Sequence, residues 1–200
     1  MKEIQLNRKN RISIFQEVLD VLRSGGVIVY PTETSYGLGG DFYNNDVIDQ
    51  VYAIKQKDRN IPLPIIVPDM LSATSLVDFL PDAKRLAITY WPGPLTLVLP
   101  LRHNKLLDYP FDSIGLRVSS HPFVQDLTKL LSAPLIATSA NISGKGGCYT
   151  PQQIRKSFNK LNVKPDLFIN VGDLPKRKPS TVIKFNNHEP EIIRQGNIII

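Results

Sequence analysis

A single cysteine, Cys148, and a single tryptophan stand among the 200 residues of this chain. One cysteine excludes an internal disulfide and a cysteine-based zinc site. His103, His121 and His188 are the only histidines, and they lie far apart with no metal-ligand partners in register. That spacing argues against a metal-binding triad. No apolar run approaches the roughly 18 residues of a membrane span. The longest, such as Val27-Ile28-Val29-Tyr30, are strand-sized. Met1-Lys2-Glu3-Ile4 lacks the basic-then-apolar pattern of a secretory signal, so a soluble cytoplasmic protein is expected, with no membrane partner. The common phosphate and hydrolase signatures are missing too. Gly37-Leu38-Gly39-Gly40 is not a GxGxxG fingerprint, Ser143-Gly144-Lys145 lacks the upstream glycine of a P-loop, and no GxSxG elbow occurs.

Enough apolar sequence is present to build a core. Hydrophobic residues make up 42% and charged residues 21%, against the balance that keeps chains disordered. Lys and Arg exceed Asp and Glu by 24 to 18, a net charge of +6 that suits polyanions or phosphorylated small molecules. The basic residues are dispersed, with the densest clusters at Lys55–Arg59 and Lys176–Lys178, and no RNA-recognition signature accompanies them.

Periodicity predicts a helix over 12–24, with Ile14, Phe15, Val18, Leu19 and Leu22 on one face and Gly25-Gly26 ending it. A buried strand Val27–Tyr30 follows, stopped by Pro31. Asp46 is expected to cap a helix running to Lys55. Further helices are expected at Pro81–Trp91, at Pro122–Leu131 with Phe123, Leu127 and Leu130 inward, and after Thr150-Pro151-Gln152-Gln153, which has the form of a capping box. Strands are expected at Pro64–Val67, Leu95–Leu99, Ile114–Val118, Leu135–Thr138, Leu167–Val171, Thr181–Phe185 and Glu191–Arg194. Alternating strands and helices, with no linker or repeat, predict one α/β domain over residues 1–200: an open, twisted, mixed sheet flanked by helices.

Open α/β sheets bind ligands beyond the carboxyl ends of their strands. Thr32 and Thr34 follow the first predicted strand, and Ser139 and Asn141 follow the Leu135–Thr138 strand. These residues either hold an anion or cap turns. Lys55 and Lys57 either complement the negative end of their helix or, with Arg59, form an anion site. Arg117 lies in an apolar strand and needs a partner, which is either a bound carboxylate or an ordinary Asp or Glu. Trp91 reads as core and Cys148 as an incidental thiol.

Seven runs, in order, carry a resemblance. They are Tyr30-Pro31-Thr32-Glu33-Thr34-Ser35-Tyr36-Gly37-Leu38-Gly39, Lys55-Gln56-Lys57 leading to Pro62-Leu63, Trp91-Pro92-Gly93-Pro94-Leu95-Thr96, Gly115-Leu116-Arg117-Val118 with His121-Pro122, Thr138-Ser139-Ala140-Asn141-Ile142-Ser143-Gly144, Ser180-Thr181-Val182 and Ile193-Arg194-Gln195-Gly196. Together they resemble the YrdC-type family of threonylcarbamoyl-AMP synthases over nearly the whole chain, in its short form.

The resemblance implies synthesis of L-threonylcarbamoyladenylate from L-threonine, bicarbonate and ATP, with release of pyrophosphate. The product would feed N6-threonylcarbamoyladenosine formation in ANN-decoding tRNAs through downstream threonylcarbamoyl-transferase proteins. It implies a YrdC-like fold with a positively charged concave face, and Mg²⁺ arriving with ATP. By the family's pattern Thr34, Arg117, Ser139 and Ser180 contact threonine, while Lys55, Lys57, Ser113, Asn141, Thr150 and Arg194 lie on the ATP side. No catalytic nucleophile or general base is assigned. Two positions depart from the family: Lys57 stands where it has arginine, and Ile66 where many members have histidine. The loss of the arginine fork keeps open a second reading, a non-catalytic YrdC-like protein that binds tRNA or another RNA or assists ribosome maturation. A carbamoyl-adenylate-forming domain with another carbamoyl source, as in hydrogenase-maturation proteins, is disfavoured by the chain's length.

Overall fold

The computed structural model describes residues 1–7, 11–102, 109–186 and 189–200. Its strands are β1 (Lys2–Gln5), β2 (Ile28–Pro31), β3 (Tyr36–Gly39), β4 (Ile65–Ile66), β5 (Leu95–Pro100), β6 (Ser113–Arg117), β7 (Leu135–Ile136), β8 (Thr138–Ser139), β9 (Leu167–Asn170), β10 (Thr181–Asn186) and β11 (Glu189–Arg194). The helices are α1 (Arg11–Arg23), α2 (Asn45–Lys55), α3 (Met70–Leu76), α4 (Pro81–Tyr90), α5 (Pro122–Leu131) and α6 (Pro151–Phe158). The mixed α/β class expected from alternation is the class found. The strands divide into two sheets, however, ordered β1-β9-β2-β3-β8 and β11-β10-β5-β6-β4-β7.

The division happens inside one expected strand. Leu135–Ile136 pairs antiparallel with β4 in the six-stranded sheet, and Thr138–Ser139 pairs antiparallel with β3 in the five-stranded one. Ala137 is the pivot, its amide donating to Pro64 O at 2.8 Å. A period-two pattern records which side chains are buried but not which sheet buries them. β3 escaped the reading because glycines dilute its pattern, and one of them is obligatory. A Cβ on Gly39 would lie 1.8 Å from Ile136 O, so only glycine lets the two sheets approach at this point.

The helices close over the sheets as their periodicity dictates. Ile14, Phe15, Val18, Leu19 and Leu22 of α1 are buried, and Phe15 stacks on Phe123 of α5 at 4.9 Å. On α5, Leu130 is not inward: it is 47% exposed, and Val124 and Leu131 join Phe123 and Leu127 in the core. The cap of α2 is Asn44 rather than Asp46, its Oδ1 accepting from the amides of Asp46 and Val47 at 3.0 and 3.3 Å. α6 has the expected capping box at Thr150 and Gln153. Among the described residues no helix is long and apolar enough to cross a membrane.

Candidate active site

One face of the six-stranded sheet packs on the core and the other opens on a cavity of about 890 Å³. Strand alternation makes this separation. On β5, Leu95, Leu97 and Leu99 are buried while Thr96 and Val98 line the cavity. On β6, Ile114 and Leu116 face the core while Ser113, Gly115 and Arg117 line the cavity. Val182 and Lys184 of β10 continue the wall, and Arg194 of β11 ends it. The opposing rim comes from Thr32, Thr34, Ser35, Tyr36 and Gly37 and from Ala137–Ser139, where the chain changes sheets. Six cations line the cavity (Lys57, Arg117, Lys145, Arg177, Lys184 and Arg194), with no carboxylate among the described lining residues.

Arg117 is 7% exposed and bound to Glu33, whose second oxygen accepts from Ser119 Oγ at 2.5 Å. Of the two partners open to it, a protein carboxylate is therefore present. Arg117 is still among the residues that line the cavity. Burial pulls its pKa down to about 10, which leaves it charged at neutral pH. Glu33 sits inside the Pro31–Ser35 loop that sequence reasoning quoted without assigning this residue a role. The signal available was complementarity: a buried strand arginine demands an acid, and Glu33 is the one acid in a run of small hydroxyls.

The hydroxyls are organised in two groups. Thr32 Oγ1 lies 3.1 Å from Thr34 Oγ1 and donates to Ser35 O at 2.6 Å. Ser180 Oγ lies 2.9 Å from Thr96 Oγ1 and accepts from Arg194 Nη2 at 3.0 Å, while Arg194 Nε holds Ser180 O at 3.0 Å. Arg194 thus clamps Ser180, expected on the threonine side, although it was itself expected beside ATP. Thr96 was missed because nothing in Leu95–Leu99 distinguishes a strand threonine with a cavity partner from one without.

Of the residues expected at the site, Thr34, Lys57, Ser113, Arg117, Ser139, Ser180 and Arg194 line the cavity. Three do not. Lys55 is 3% exposed, and its ammonium donates to Ser139 O at 2.7 Å and Asn141 O at 2.8 Å. These two bonds hold the Ser139–Asn141 loop, a structural role beyond complementing a helix end. Asn141 is buried and donates to Ile142 O at 2.7 Å and to Lys145 O, holding the following loop. Thr150 Oγ1 is occupied by the Gln153 amide at 3.2 Å as the cap of α6. Lys57 is half-buried at the rim, its Nζ 3.2 Å from Pro62 O, and burial lowers its pKa. Ile66 is fully buried in the core with Phe123 and Leu127 and offers no polar contact.

Trp91, expected as core, is only half-buried and packs against the edge of the core, with its indole N–H donating to Leu95 O at 2.7 Å. Cys148 is buried with Sγ 3.4 Å from Ser157 Oγ, and burial raises its pKa, so it stays a thiol. His103 and His188 lie outside the described residues. Among the described residues no group of His, Cys, Asp or Glu could hold a metal ion.

The buried ammonium makes a pH prediction. Burial, reinforced by Lys57, pulls Lys55 down to about 8 from 10.5. Below pH 8 it is charged in both folded and unfolded chains, and the full cost of burying the charge is present. As pH rises from 8 to 10.5 the folded chain releases the proton first, so stability rises across that window. Relative to Lys55→Met, the wild type should gain on the order of 3 kcal/mol between those limits, measured by urea unfolding. A difference that stays flat with pH would show that the ammonium is not buried at this cost.

The Sua5/YciO/YrdC family model, described as telomere recombination, matches residues 20–196. A threonylcarbamoyl-AMP synthase of Serratia proteamaculans (strain 568) is 36% identical over 151 residues, covering 73% of this chain and 80% of its own length. Sua5 of P. abyssi, solved in complex with L-threonine, superposes with a TM-score of 0.82 at 28% identity over 98% of this chain. This chain spans 57% of the length of that structure. YciO of E. coli superposes with a TM-score of 0.83 at 29% identity, covering 98% of this chain and 94% of its own.

Proposed function

The chain belongs to the Sua5/YciO/YrdC family, and on that premise we propose that its cavity makes L-threonylcarbamoyladenylate from L-threonine, bicarbonate and ATP. One observation carries the reading. Thr34, Lys57, Ser113, Arg117, Ser139, Ser180 and Arg194, scattered over some 160 residues of sequence, converge on one cavity rich in cations and hydroxyls.

The chemistry asks for what the cavity offers. The unprotonated amine of threonine adds to bicarbonate with loss of water, giving a carbamate. A carbamate oxygen then attacks the α-phosphorus of ATP, the bond to the β-phosphate oxygen breaks, and pyrophosphate leaves. Neither step needs a protein nucleophile; both need positioning and neutralisation of negative charge. Arg117 takes the threonine carboxylate with the N–H groups that Glu33 leaves over. Lys57, with Lys145, Arg177 and Lys184 around the same cavity, meets the phosphates. Mg²⁺ enters with ATP as part of the substrate, and the described lining residues include no carboxylate for it.

The six cations lining the cavity suit an RNA as well as a nucleotide. tRNA and threonylcarbamoyl-transferase proteins are the partners this product calls for, and the cytoplasm is where the chain would meet them. Pyrophosphate release from ATP tests the function. It is expected only when threonine and bicarbonate are both present, and release independent of either would overturn the reading.

A further inference from the structure

Gly39 is glycine because backbone crowds it; Gly115 is glycine for a different reason. Gly115 is in ordinary strand conformation, and a Cβ built on it would meet no atom closer than 3.4 Å. Neither backbone strain nor a clash forbids a side chain here. The three nearest atoms are all carbons: Thr96 Cγ2 at 3.4 Å, Pro64 Cβ at 3.5 Å and Val98 Cγ2 at 3.6 Å. Gly115, Thr96, Pro64 and Val98 all line the cavity. The missing side chain therefore leaves a methyl-sized, carbon-walled dimple in the cavity floor.

Its neighbours give the dimple a meaning. Arg117 is two residues along the same strand, about 6.6 Å away on the same face. Thr96 presents its methyl to the dimple and its hydroxyl to Ser180. The Thr96–Ser180 pair has two hydroxyl protons. One lies between the two oxygens, and Arg194 supplies its own proton to Ser180. One hydroxyl proton is left over for a third oxygen. A cationic fork, a spare hydroxyl donor and an apolar dimple thus lie side by side. Those are the complements of a carboxylate, a β-hydroxyl and a γ-methyl.

We infer that Gly115 keeps open the dimple that receives the γ-methyl of threonine, and thereby makes the cavity select threonine over serine. The inference rests on the proposed threonine chemistry and adds to it the residue that sets the amino-acid preference. Serine fills the fork and the hydroxyl contact but leaves the dimple empty. One methyl in an apolar pocket discriminates by roughly 10- to 200-fold.

The test measures threonine and serine binding to the full chain by calorimetry, with pyrophosphate release measured in parallel. The wild type should bind threonine at least tenfold more tightly than serine. Gly115→Ala fills the dimple. It should weaken threonine tenfold or more, change serine less than threefold, and leave the ATP requirement alone. Thr96→Ser removes one wall while keeping the hydroxyl pair, and should also lower the threonine-to-serine ratio. Equal losses for both amino acids, or a loss confined to ATP, would overturn the inference. A wild type that prefers threonine but releases no pyrophosphate would sink the proposed activity and leave this inference standing. Turnover with no preference for threonine would do the reverse.

Discussion

Arg117→Ala is expected to raise the threonine requirement roughly 10- to 150-fold while leaving the ATP requirement near that of the wild type. The expectation follows from losing one charge-assisted hydrogen-bond partner, worth about 1.5–3 kcal/mol. The same substitution has a second cost, because Glu33 is buried against Arg117 and keeps only Ser119. Breaking a buried ion pair by removing one partner typically costs about 3–5 kcal/mol. The double variant Arg117→Met/Glu33→Gln separates the two effects. It replaces the pair with neutral groups of similar size, so it should recover most of the stability and none of the threonine affinity. Unchanged threonine affinity in a folded Arg117→Ala variant would show that the guanidinium serves Glu33 alone.

Lys57→Ala is expected to raise the ATP requirement by a similar factor, about 10-fold or more, and Lys57→Arg to retain wild-type use or improve it. Lys57 is the one member of the Lys55-Gln56-Lys57 run that lines the cavity, while Lys55 donates to the carbonyls of Ser139 and Asn141. As a point charge it neutralises a phosphate without a fork, and an arginine at the same place would add the second hydrogen bond. Were Lys57 only complementing the end of α2, both substitutions would leave turnover alone and shift stability by about 0.3–1 kcal/mol. Pyrophosphate release across ATP concentrations, at saturating threonine and bicarbonate, separates the two outcomes. Wild-type ATP dependence in Lys57→Ala would remove Lys57 from the phosphate site, whereas no pyrophosphate release from the wild type would favour a non-catalytic, RNA-binding role.

The elements that hydrophobic period defines were legible: α1, α5, β5 and β6 lie within a residue or two of where their apolar spacing puts them. What stayed hidden depends on long-range pairing. β1 is short and mostly exposed, held by pairing with β9 at the far end of the chain, and no local pattern announces such a strand. The split of Leu135–Ser139 between two sheets is set by Gly39 and Pro64, neither visible from the segment itself. At the site, motif order found the segments but not which side chain of each segment faces the cavity. Lys55 and Lys57 differ by two positions, yet the left-handed turn at Gln56 sends one inward beneath a loop and the other to the rim. Glu33 and Thr96 were quoted within motifs, yet their roles arise only when β2, β5, β6 and β10 meet.

Isotope incorporation shows whether this cavity joins threonine, bicarbonate and ATP into one adenylate. The full chain is incubated with threonine, ATP, Mg²⁺ and carbon-13 bicarbonate, and the nucleotide products are resolved by mass spectrometry. The expected product is a threonylcarbamoyladenylate one mass unit heavier than from ordinary bicarbonate, formed with pyrophosphate and lost when threonine is omitted. Pyrophosphate formed with no labelled carbon in the adenylate, or intact ATP throughout, would contradict the proposed reaction.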